Sequence, residues 1–161
     1  MRAAEMFKSY PKMKNELLVL EFKLRAFQGI AHDDVIESMN YSKPQGERVQ
    51  DSRISDKTGK TAIYYRKIAE KLDDEYFDAL LERYLYLKEE LELFEFLVSG
   101  LSGRLPDFIR DRVMEQMSWT ELMEKYCISY SAVGKYRKKA EKELDRLYNF
   151  RDEVDTEYML S

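Results

Sequence analysis

The chain has 161 residues, 44% apolar and 36% charged, with a formal net charge of −4. That is enough apolar material for one domain, or a small domain with an extended partner. No run nears the ~20 apolar residues that cross a bilayer, so no membrane-spanning helix is expected.

The N-terminus, "MRAAEMFKSYPKMKNE", lacks the apolar stretch of a secretory signal. A single cysteine, Cys127, cannot form an internal disulfide and suits a reducing compartment, so a cytoplasmic protein is expected. With only 6 Gly and 3 Pro, the composition predicts an all-α fold with long polar helix faces.

Lys14–Phe27 reads as the first helix, with Leu17, Leu18, Leu20, Leu24 and Phe27 near helical spacing. Gly29 ends it, and Pro11 separates it from a short N-terminal turn. Asp33–Met39 reads as a second short helix capped by Asp33. Residues 41–60, "YSKPQGERVQDSRISDKTGK", form a polar loop with no sustained apolar period. Its bases Lys43, Arg48, Arg53, Lys57 and Lys60 are interleaved with acids. A solvated loop is at least as good a reading as a contact segment.

Residues 61–101 form the longest periodic stretch, a long coiled-coil-like helix. Tyr84, Leu87, Leu91, Phe94, Val98 and Leu101 step by 3, 4, 3, 4 and 3, a heptad seam. Asp73–Asp74 is a place where a new helix can be capped. Two covers for the seam stand open. One is antiparallel packing against Lys14–Phe27; the other is a homodimer through Tyr84, Leu87, Leu91, Phe94 and Val98. "SGRLPD", residues 102–107, is a linker, with Gly103 suited to a helix end and Pro106 to the first turn of the next helix. The chain therefore divides into a helical region, 1–101, and a C-terminal domain, 102–161.

Three helices follow in that domain. The first is Asp107–Met117, with Ile109, Val113 and Met117 on one face. The second is Trp119–Tyr126, introduced by the capping box Ser118-x-x-Glu121. The third is capped by Ser129, with Val133, Tyr136 or Arg137, Ala140, Leu144 and Leu147 inside and Ser131, Lys135, Lys138 and Lys142 outside. Two helices joined by a tight turn, the second with a basic outer face, predict a helix-turn-helix. Residues 127–139 hold four bases and no acid, although the midsection 73–95 and the tail from Asn149 are acidic.

Double-stranded DNA is the partner this charge fits. Ser129, Tyr130, Ser131 and Lys135 stand at the groove end. Arg137, Lys138, Lys139 and Lys142 are placed for phosphates.

The stretch "LPDFIRDRV…SWTELMEKYCISYSAVGKYRKKAEKEL" also resembles the region-4-like helix-turn-helix of sigma-70-type factors. It resembles still more the small sigma-like regulators of phages and mobile elements, such as the RinA and ArpU groups. Trp119, Glu121 and Leu122, then Ser129, Tyr130, Val133, Lys138, Lys139 and Ala140, carry the likeness over about a quarter of the chain. The resemblance implies a sequence-specific transcription regulator acting with RNA polymerase. Cys127 departs from it by standing where such motifs have Gly, and Met123 by standing where they have a small residue. Two alternatives are a small terminase subunit and a helical interaction module without DNA binding. His32 is the only histidine and no P-loop is present, so neither enzyme chemistry, a metal nor a cofactor is expected.

Overall fold

The computed structural model describes residues 2–27, 29 and 56–161. Among them the fold is all-helical: five α-helices, one π-helical turn and no strand. The helices are α1 (Arg2–Arg25), α2 (Asp56–Ser99), α3 (Leu105–Ile109), α4 (Trp119–Tyr126) and α5 (Tyr130–Leu160), with the π-turn Arg110–Met114 directly after α3. Two compact units are distinguished. The first joins Met1–Val19 to Leu85–Ser161; the second is Leu20–Tyr84.

Several boundaries differ from those read in the sequence. Helix α1 runs through Pro11, which was expected to separate two segments. Proline removes one i→i−4 bond, here to the Phe7 carbonyl, at about 3 kcal/mol. Against this, Ala3, Met6 and Tyr10 are buried and Met13 and Leu17 pack on the core, a stripe spaced 3, 4, 3 and 4. Each large apolar side chain fully buried contributes roughly 1.5–3 kcal/mol, so the stripe outweighs the lost bond.

Helix α2 begins at Asp56, inside the segment expected to be loop, and passes Asp73–Asp74 without a break. Extending an existing helix requires no new nucleus, so Gly59 is absorbed at about 1 kcal/mol. At 44 residues α2 is about 66 Å long. The remainder of the expected loop, and the Asp33–Met39 helix, lie outside the described residues.

The expected Asp107–Met117 helix is instead α3 plus the π-turn, starting at Leu105 with Pro106 in its first turn. Gly103, at φ +60°, makes the preceding bend. Helix α5 continues through the acidic tail to Leu160.

The core of the first unit brings α1 (Ala3, Met6, Tyr10) onto α2 (Leu91, Phe94, Val98), Phe108 of α3, Leu122 of α4 and Val133, Ala140 and Leu144 of α5. Leu87, Leu91, Phe94 and Val98 are each 1% exposed or less. Their apolar faces are filled by this chain, so the intrachain cover that the sequence left open accounts for these residues. Tyr84, half-buried, belongs to the second unit.

Polar ties then hold the first and last helices together. Asp145 Oδ1 accepts the Ala3 N–H (2.9 Å), and Arg2 Nη1 pairs with Asp152 (2.8 Å). Arg151 reaches Glu90 of α2 at 3.0 Å. The guanidinium groups of Arg2 and Arg151 lie 5.5 and 5.4 Å from the Tyr148 ring centroid. The Tyr148 Oη is buried without a hydrogen-bond partner among the described residues, and burial pushes the phenol up to about 12.

On α1, the Tyr10 hydroxyl donates to Glu95 Oε1 (2.6 Å), which Lys14 Nζ also meets at 2.6 Å. Burial and the Glu95 carboxylate push the Tyr10 phenol up. In the second unit, the Phe27 ring packs on Tyr76 and Phe77 at 5.9 and 5.3 Å.

Candidate nucleic-acid interface

The site is built from a π-turn, a short helix, a left-handed corner and a long helix. The π-turn closes through wide rings: Glu115 N–H donates to Arg110 O (3.0 Å), and Met117 N–H to Asp111 O (2.9 Å). Gln116 takes φ +54° to make that closure. Arg112 Nη1 donates to Met117 O at 2.8 Å and braces the exit.

Helix α4 starts where the capping box requires. Ser118 Oγ accepts the Glu121 N–H (3.2 Å), and Glu121 Oε2 accepts the Ser118 N–H (2.7 Å). Two helix-end donors are thereby satisfied. Leu122 is fully buried, and Trp119, Met123 and Tyr126 pack beside it on the same face.

The helix ends at Cys127, whose φ +52° and ψ +48° lie in the left-handed region. The N–H groups of Cys127 and Ile128 both donate to Met123 O, the pattern of a helix stopped by a left-handed residue. An L-residue there costs about 1–2 kcal/mol relative to glycine. Ser129 then caps α5, its Oγ accepting the Ala132 N–H at 3.3 Å.

A buried carboxylate fixes this corner. Asp111 Oδ2 accepts from Tyr126 Oη (2.5 Å) and meets Lys125 Nζ (2.6 Å), tying the end of α4 to the π-turn. Burial raises the Asp111 carboxyl, but Lys125 and Tyr126 lower it more, and it lies below the usual range. The same burial and carboxylate push the Tyr126 phenol up. The Phe108 ring meets Tyr126 and Tyr136 edge-on at 5.7 and 5.5 Å.

Across the corner, the Trp119 and Tyr130 rings meet at 4.7 Å, tilted by 41° to each other. Tyr130 stays 65% exposed. Gly134 lies beneath the indole; a Cβ there would meet it at 3.7 Å, ordinary contact.

Helix α5 separates its residues by face. Val133, Ala140 and Leu144 are buried; Tyr148 is buried where Leu147 was expected, and Leu147 is half-buried. Ser131, Lys135, Lys138 and Lys142 form one exposed row on the opposite side. Among the described residues no ion pair engages these three lysines. Ser129 and Tyr130 are exposed at the head of the helix, with Ser129 Oγ 3.1 Å from Ser131 Oγ.

Lys139 is exposed beside the row, near Glu143, which is held by the Ser102 hydroxyl (2.6 Å) and N–H (3.2 Å). Arg137 departs from the group: it is half-buried, and its Nε pairs with Glu141 at 2.9 Å. Sequence reasoning did not single out Asp111 or Arg112, because each gains its role only when the π-turn forms and α4 closes against it.

Among the described residues no group of His, Cys, Asp or Glu could hold a metal ion. None of their helices is long and apolar enough to cross a membrane. Comparison with protein-family models, with curated proteins and with solved structures finds no match to this chain.

Proposed function

We propose that α4, the Cys127 corner and α5 act as a helix-turn-helix, and that the protein is a DNA-binding transcription regulator of the sigma-like kind found in phages and mobile elements. The observation that carries this reading is the exposed row Ser131, Lys135, Lys138 and Lys142. It stands opposite the buried face of α5, at the head of a helix whose approach is held rigid by the Asp111 clamp. A free lysine row on a braced helix suits a polyanion, because each phosphate neutralised releases condensed counterions. Tyr130 and Ser131, at the exposed N-terminal turn, stand where base edges are read. Contact with RNA polymerase belongs to the same proposal and rests on the resemblance alone.

The test is duplex DNA binding by fluorescence anisotropy across a salt series. Replacing Lys135 and Lys138 by Glu is expected to weaken binding and to flatten the log–log salt slope by about two. Undetectable binding by the wild-type chain at low salt, or binding indifferent to both substitutions, refutes the reading and favours an interaction module.

A further inference from the structure

A cavity of about 410 Å³ in the first unit gathers cations from three elements: Lys8 of α1, Arg112 of the π-turn and Arg137 of α5. Gln116 adds an amide, Phe7 and Pro11 give an apolar wall, and no carboxylate lines it. Among the described residues only Arg137 of the three is answered by a carboxylate, Glu141, so the cavity presents a net positive charge in a chain of net charge −4.

Two of the three are held in place. Arg112 Nη1 is bound to Met117 O, and Arg137 Nε to Glu141, which stands outside the lining. Among the described residues, the remaining guanidinium N–H groups of both arginines, and Lys8 Nζ, have no hydrogen-bond partner. Planar forks with restrained rotamers and free donors are suited to tetrahedral oxyanions.

We propose that this cavity binds a phosphate group, with Lys8, Arg112 and Arg137 as its cationic ligands. The phosphate belongs either to a nucleic-acid backbone or to a free phosphate ester; the recognition chemistry is the same. The cavity does not depend on the lysine row of α5: a free ester stands apart from the regulator reading, whereas a backbone phosphate rests on it.

The probe is inorganic phosphate, titrated at constant ionic strength with chloride as the balancing anion and followed by thermal unfolding. Phosphate is expected to raise the wild-type Tm. Lys8→Gln, at an exposed position, and Arg112→Lys are each expected to weaken the apparent affinity about tenfold. The Lys135→Glu, Lys138→Glu double variant is expected to respond as the wild type does. Absence of a phosphate-dependent rise, or an equal rise in Lys8→Gln, overturns the proposal.

Competition with duplex DNA separates the two sources. If the cavity takes a backbone phosphate, Lys8→Gln also weakens DNA binding and lowers its salt slope by about one. If it takes a free ester, DNA binding is unchanged while the phosphate response is still reduced.

Discussion

Asp111→Asn isolates the buried clamp at the corner. The Asp111 side chain is 11% exposed, and its Oδ2 receives both the Tyr126 hydroxyl and the Lys125 ammonium. A hydrogen bond to a charged acceptor contributes roughly 1.5–3 kcal/mol. The Lys125 partner is half exposed, so solvent screening limits its share to about 1 kcal/mol or less. The expected loss is therefore about 2–3 kcal/mol at neutral pH. For a chain of this size that lowers Tm by about 4–12 °C.

The pH dependence has a definite sign. The folded carboxyl titrates below its unfolded value of 3.8, so its contribution is fully present above that value. It is lost as pH falls through the folded pKa. Urea unfolding of wild type and Asp111→Asn should show a constant gap from neutral pH down to about 5, closing in stronger acid. Wild type also carries Glu95, Glu143 and Asp152, which are lowered in the same direction, and the difference between the two proteins cancels them. A gap under about 0.5 kcal/mol at neutral pH, or one that does not close in acid, refutes the clamp. So does an equal cost of Asp111→Asn in a Tyr126→Phe background, because that cycle would show no coupling.

Cys127→Gly should stabilise the first unit by about 1 kcal/mol, the left-handed penalty less the extra flexibility of unfolded glycine, read from the urea midpoint; a loss would show that the corner needs the side chain. Pro11→Ala returns a donor to the Phe7 carbonyl and should add about 2 kcal/mol by the same measurement. No gain would mean that the chain already satisfies that carbonyl another way. Leu91→Asp places a carboxylate at a position 1% exposed and should cost more than about 4 kcal/mol. Circular dichroism is expected to show loss of structure. A folded variant with only a changed solution mass would return Leu91 to an intermolecular seam.

The corner was legible in the sequence because its determinants are local. Ser118 and Glu121 sit three residues apart and bond each other; Ser129 caps the helix beginning at the next residue. Leu122, Val133, Ala140 and Leu144 follow from spacing alone. What spacing leaves open is the element that covers a face. The seam on α2 reads equally well for a second copy, and of α1 only Lys14–Phe27 was offered as its cover, because Pro11 hid the stripe Ala3, Met6 and Tyr10. Arg137 was ambiguous for a related reason. It lies at the margin of the buried arc, where one helical step decides between the lysine row and the cavity. Lys8 and Arg112 carry no mark of their own, since the cavity exists only once three distant segments meet.

The ties of Arg2 to Asp152 and of Ala3 to Asp145 have a consequence for the order in which the protein is made. These contacts span 150 and 142 residues, so the opening helix leaves the ribosome long before its partner exists. Leu20–Tyr84 is one uninterrupted stretch and can close on itself early, whereas the unit holding α1 must await the last helix. Until then Arg2 and the Ala3 N–H lack Asp152 and Asp145, and nascent chains halted before residue 145 are the ones expected to recruit chaperones.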